Sequence, residues 1–147
     1  MIQYLLDTDT LSYLMKKNHP FHSAVLQRLL TQPEGGVALS AISLAEIARG
    51  LENIKTHVAN DILRKAIESM LSSLVILEFD EEAAWIYGKV RTEVLKTGKD
   101  IGVMDALIAA HAVSQNLVLV TNNTKHFVNV SQLKLENWCP VNEITMS

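Results

Sequence analysis

The sequence predicts an α/β domain with a mainly parallel sheet, on three observations. Short apolar runs of strand length alternate with longer segments of helical periodicity. The run Leu117-Val118-Leu119-Val120 contains no polar residue, as expected of a strand buried on both faces. No repeat, low-complexity segment or Pro/Gly-rich linker breaks the alternation, so residues 1–147 read as a single domain with a sizeable core.

Residues 2–6 (Ile-Gln-Tyr-Leu-Leu) are an apolar run ending at Asp7 and read as the first strand. Helical stretches follow at roughly 9–16 and 21–32, and in the second Val25, Leu26, Leu29 and Leu30 recur at helical spacing. Gln32-Pro33-Glu34-Gly35-Gly36 signals a turn into a second strand, Val37-Ala38-Leu39-Ser40. Residues 43–53 read as a helix with Ser43 as N-cap and Gly50 near its end. Residues 57–73 are an amphipathic helix, 74–79 a third strand and 80–96 a helix closed by the loop Thr97-Gly98-Lys99-Asp100. Residues 104–115 form an almost wholly apolar helix before the fourth strand, 117–120, and Leu133-Lys134-Leu135 reads as a short fifth strand.

Composition narrows the class. A chain 48% hydrophobic and 20% charged is globular rather than disordered. Mean hydropathy of +0.15 points to spare apolar surface for a partner. The single cysteine, Cys139, allows no intramolecular disulfide and suits a reducing compartment. The N-terminal apolar run is too short, and lacks the basic flank, for a signal peptide, and no stretch is long enough to span a membrane. The protein therefore reads as cytoplasmic. Thirteen basic and sixteen acidic residues give a net charge of −3, which weighs against a protein that coats nucleic acid. It leaves room for an enzyme whose acids are gathered at a metal site.

In parallel α/β sheets, ligands bind beyond the carboxyl ends of the strands. Asp7 follows the first strand, Glu46 lies in the helix after the second, Asp105 opens the apolar helix, and Thr121-Asn122-Asn123 follows the fourth strand. Each acid has a local alternative. Asp7 is placed to cap a helix. Glu46 follows Ser43 at capping-box spacing. Asp105 fits an N-cap, yet its apolar neighbours make an unpaired carboxylate costly. Clustered without a cation, the three acids would raise one another's pKa values. A hard divalent cation such as Mg²⁺ resolves that, and can activate water and offset charge on a phosphate.

These same segments resemble a known family. Leu5-Leu6-Asp7-Thr8-Asp9-Thr10, Ser40-Ala41-Ile42-Ser43-Leu44-Ala45-Glu46-Ile47, Ile101-Gly102-Val103-Met104-Asp105-Ala106-Leu107-Ile108-Ala109-Ala110-His111-Ala112 and Val120-Thr121-Asn122-Asn123 resemble, in order, the signature blocks of the VapC toxins of VapBC toxin–antitoxin pairs. The tail Leu135-Glu136-Asn137-Trp138 resembles the family's ending, so the likeness spans essentially the whole chain. It implies a PIN fold, a three-layer α/β/α sandwich with a mainly parallel sheet of about four to five strands. It implies endonucleolytic cleavage of RNA, transfer or ribosomal, with Mg²⁺ or Mn²⁺, in a homodimer controlled by a VapB-type antitoxin. By matching blocks, Asp7, Glu46 and Asp105 are the acidic metal-site and catalytic residues. The fourth acid that the family often carries is Asn123 here, which brings a carbonyl but no charge and puts a second metal in doubt. Asp9 stands where many relatives have Asn; it either offsets that loss or serves the start of a helix.

Secondary candidates have equally plain alternatives. Thr8 and Thr121 hold acids or metal waters, or simply make turns. Arg49, one turn beyond Glu46, contacts substrate phosphate or pairs with the glutamate. His111 points away from Asp105 on the helix and reads as a core or interface histidine. Asp100 reads as a solvated loop residue, and Lys89, Arg91, Lys96 and Lys99 as a solvated face whose alternative is RNA tracking. Two rival functions fit less of the chain. Asp7-Thr8-Asp9-Thr10 matches the opening motif of aspartate-nucleophile phosphatases, but their closing acidic pair is missing after the fourth strand. A non-catalytic RNA- or protein-binding module is the other.

Overall fold

The computed structural model describes residues 1–54 and 57–140. Five parallel strands lie in the order β3-β2-β1-β4-β5: β1 is Tyr4–Leu6, β2 Val37–Ser40, β3 Val75–Leu77, β4 Val118–Val120 and β5 Lys134–Glu136. The helices are α1 Thr8–Met15, α2 His22–Leu30, α3 Ala41–Glu52, α4 His57–Leu71, α5 Glu81–Lys96 and α6 Val103–Ser114. The α/β architecture and all five strands follow the sequence expectation, with the last strand shifted by one residue.

Side-chain alternation along the strands divides the core into two layers. Tyr4, Leu6, Val37 and Leu39 face one way, where Leu11, Leu14, Val25, Ile47 and Ile67 cover them. Leu5, Ala38 and Leu119 face the other, against Val90, Val94, Ile108 and Ala112 of α5 and α6. This is a helix–sheet–helix sandwich. Leu119 and Val120 of β4 are fully buried, as their unbroken apolar run requires. Among the described residues no helix is long and apolar enough to cross a membrane.

Helix α3 begins earlier than its sequence suggests. Ser40 ends β2 in an extended conformation, and its Oγ accepts from the Ile42 amide at 3.0 Å. The strand passes straight into the helix, so Ser40 and not Ser43 is the N-cap. Glu46 falls in the second turn, and the capping-box explanation for it lapses. Asp105 is likewise no N-cap: Gly102 occupies that place at φ 89°, a left-handed conformation that suits glycine, and Asp105 is the third residue of α6. Asp100 is more than a solvated loop residue. It accepts from the Gly102 amide at 2.8 Å and forms a two-pronged ion pair with Arg91, which holds its carboxyl below the ordinary range.

His111 takes the core role expected of it. It is fully buried, its Nδ1 lies 2.8 Å from Ser40 Oγ, and Phe79 meets it edge-on. Nε2 makes no well-formed hydrogen bond; burial pushes the ring's pKa down, against the pull of the Glu78 backbone. The Ser40 hydroxyl therefore serves two neighbours, accepting from the Ile42 amide and sharing a hydrogen bond with the His111 imidazole. Ser40→Ala removes a cap worth about 1 kcal/mol and strands a buried nitrogen at a further cost of about 1–3 kcal/mol. Urea denaturation should show a loss of about 2 kcal/mol or more, and a neutral result would remove Ser40 from this role.

Candidate active site

Parallel packing brings the ends of β1, β2 and β4 to one edge, and the sequence-predicted acids meet there. Asp7, Thr8, Asp9, Glu46, Asp105, Asn123, His126 and Phe127 line one cavity of about 240 Å³.

Asp7 is held by both its neighbours in sequence and its neighbours across the sheet. Its amide donates to the Val120 carbonyl at 3.0 Å, continuing the β1–β4 ladder. Its Oδ1 accepts from the Thr10 amide at 2.7 Å, so it does cap α1. The Thr121 side chain also hydrogen-bonds to it, while the Thr10 hydroxyl donates to the Val120 carbonyl at 3.1 Å. The residue is only 6% exposed. Burial therefore pushes its pKa up despite these bonds, and the nearby Asp9 adds to the rise. The capping and site readings of Asp7 both hold, because one carboxylate oxygen suffices for the cap.

Glu46 is turned toward Thr8. The Thr8 hydroxyl lies 2.7 Å from Glu46 Oε1 and 3.0 Å from the buried Ser43 hydroxyl. With one hydrogen to give, Thr8 donates to the carboxylate, and Ser43 supports it from behind. Thr8 is thus a link between α1 and α3 rather than a turn residue.

Asp105 is raised in pKa by burial and by Asp9, while the adjacent His126 pulls it down. His126 Nε2 lies 3.0 Å from Asp105 Oδ2 and 3.0 Å from the Ile101 carbonyl. Sequence reasoning passed over His126. The available signal was a titratable side chain within the loop after β4, three residues beyond Asn123.

The supporting residues divide. Asp9 is exposed in the first turn of α1 yet lines the cavity. Asn123 also lines it, with its amide donating to Thr121 Oγ1 at 3.0 Å. Arg49 does not reach Glu46: it is exposed, and its guanidinium donates to Asn53 Oδ1 at 2.9 Å. One helical turn separates Arg49 from Asn53, whose neutral amide takes the guanidinium, while Glu46 turns to Thr8.

Among the described residues, no three carboxylate, imidazole or thiolate groups stand close enough to enclose an ion as placed. The donor set nevertheless suits a hard divalent cation. Carboxylates share one cavity, and the anions of Asp7 and Asp105 are both disfavoured there.

Comparison with known proteins decides the family. The PIN domain matches residues 4–133. Ribonuclease VapC2 of Rickettsia felis is 36% identical over 92% of this chain and 97% of its own. The tRNA(fMet)-specific endonuclease VapC of Salmonella typhimurium is 33% identical, covering 95% of this chain and all of the relative. The chain belongs to the VapC ribonucleases of the PIN-domain family. The DNA-bound VapBC complex of Salmonella typhimurium contains a chain that superposes with a TM-score of 0.85 at 30% identity, over 95% of this chain and all of that one. Membership in the VapC ribonucleases sets aside the phosphatase reading of Asp7 and Asp9.

The raised pKa of Asp7 has a consequence for stability. Its folded-state pKa lies above the ordinary 3.8, so ionisation costs the native state stability that it keeps in acid. The penalty grows as pH rises from the ordinary carboxylate range through the raised value, and is complete above it. Asp7→Asn, which can still cap α1, should be more stable than wild type at neutral pH without metal. That advantage should shrink as pH falls toward 3.8, as thermal unfolding across pH would show; a variant less stable throughout would contradict the cause assigned to the shift.

Proposed function

We propose that this VapC ribonuclease is a Mg²⁺-dependent endoribonuclease and the toxin of a type II toxin–antitoxin pair. The gathering of Asp7, Glu46 and Asp105 around one cavity, with the first and last disfavoured as anions, carries the metal part of this reading. These three residues would hold Mg²⁺, or Mn²⁺ in its place, with Asp9 and Asn123 at the rim. When bound, such an ion neutralises phosphate charge and lowers the pKa of water.

The protein's own groups set the geometry. Thr8 fixes one oxygen of Glu46, and Thr10 and Thr121 fix Asp7. Fixed carboxylates can align a water with the scissile phosphate and accept its proton as the water oxygen attacks. In-line attack breaks the bond from phosphorus to the 3′ oxygen, which takes a proton from solvent, leaving a 5′-phosphate and a 3′-hydroxyl. Asn123 contributes a carbonyl but no charge, which favours one metal over two.

The partner reading rests on exposed apolar side chains. Val58 and Ile62 lie one turn apart on α4 with exposures of 72% and 66%. A VapB-type antitoxin would cover such a face and reach toward the acids, as the VapBC complexes of relatives suggest. The working form would be a homodimer, acting in the cytoplasm where its RNA is found. The Salmonella relative makes tRNA(fMet) the first substrate to try.

Purified, antitoxin-free protein should cut total RNA into discrete fragments with Mg²⁺ or Mn²⁺ and not with chelator. Asp7→Asn and Asp105→Asn should each lower cleavage at least about 100-fold, as loss of a group essential to proton transfer does, without loss of fold. Cleavage that survives chelator and both substitutions would refute the site. Binding of RNA without cleavage under any divalent ion would favour the non-catalytic module.

A further inference from the structure

The Asp105 carboxylate is met from one side by an imidazole that belongs to a different loop. His126 Nε2 sits 3.0 Å from Asp105 Oδ2 and 3.0 Å from the Ile101 carbonyl oxygen. A carbonyl can only accept, so Nε2 carries a hydrogen and points it at both oxygens. The ring is itself held: Phe127, 2% exposed, meets it edge-on with centroids 5.2 Å apart and planes at 88°. Among the described residues the Asp105 carboxylate makes no other hydrogen bond, which leaves Oδ1 free.

We propose that His126 is a positioning residue for Asp105, an Nε2–H donor that fixes one carboxylate oxygen and so leaves the other set for a divalent cation. This rests on the metal reading above. The nitrogen that meets Asp105 bears the hydrogen, so in this arrangement it orients the ligand and does not coordinate. Carboxylates that bind metals work best when a neighbouring donor holds them, and losing that donor typically costs 10–100-fold in metal affinity. The bridge has a second effect. Ile101 lies in the loop that leads into α6, and His126 in the segment after β4 that also carries Asn123. One imidazole thus ties together the two loops that bring Asp105 and Asn123 to the cavity.

The role depends on where the N–H sits, so substitutions can separate it from packing. Glutamine places an amide N–H near the position of Nε2; asparagine places it near Nδ1; leucine has none. Mn²⁺ binding, followed by the loss of the free-ion electron paramagnetic resonance signal, reads affinity without any RNA or turnover. His126→Gln should bind Mn²⁺ within a few-fold of wild type. His126→Leu should bind roughly 10–100-fold more weakly. If the leucine variant does not fold by circular dichroism, His126→Asn makes the same comparison and should also be weak.

Asp105→Asn, measured in parallel, separates the positioning role from the metal site itself. If it loses Mn²⁺ while every folded His126 variant binds like wild type, the positioning role is wrong and the metal site stands. If the glutamine variant is as weak as leucine or asparagine, the ring packs rather than donates, and the proposal is again overturned. If Asp105→Asn itself binds Mn²⁺ like wild type, the metal reading falls and the proposal with it.

Discussion

Burying the Asp7 carboxylate at the end of the central strand is the constraint on which the site depends. The peptide hydrogen bond from Asp7 to Val120 locks the backbone into the β1–β4 ladder, and the Thr10 amide holds the side chain inward, where it is only 6% exposed. The Thr10 amide, at 2.7 Å, and the side chain of Thr121 then partly replace the lost hydration. They do not replace it fully, and the pKa remains raised. On the metal reading proposed above, a cation at this edge would offset the cost that the fold has already met in burying the anion.

Topology supplies the other carboxylates. In the order β3-β2-β1-β4-β5, the two strands beside β1 are β2 and β4. Glu46 rides on the helix that leaves β2, and Asp105 on the helix that leads into β4. Residues far apart in sequence therefore converge without any long loop. Thr8 joins α1 to Glu46 on one side of the cavity, and His126 joins the loop after β4 to Asp105 on the other. Each acid away from the central strand is thus steadied by a donor from a different segment.

The sheet and the three acids were legible in the sequence for physical reasons. Strands such as 37–40 and 117–120 must be continuously apolar when both faces are covered, and a carboxylate in the Val103–Ala110 run needs a partner. The helix starts were less legible. Ser40 and Ser43 are both good caps by composition, and only the direct passage from β2 into α3 chooses Ser40. Of the two readings of Arg49, the pairing with Glu46 fails because helical spacing allows several partners and Asn53 takes the guanidinium. His126 carried only a faint local signal, its place three residues beyond Asn123. Its meaning comes from a contact with Asp105, 21 positions earlier, which no periodicity displays.

On the metal reading proposed above, a cation takes the place of protons at this edge. Both Asp7 and Asp105 hold protons more readily than ordinary carboxyls, so binding a divalent ion at mildly acidic pH should release them. The direct measurement is Mg²⁺ binding by calorimetry in buffers of different ionisation enthalpy, which counts protons released per ion bound. A net release is expected, fading as pH rises to neutral and beyond. Tight Mg²⁺ binding with no proton release at mildly acidic pH would contradict it.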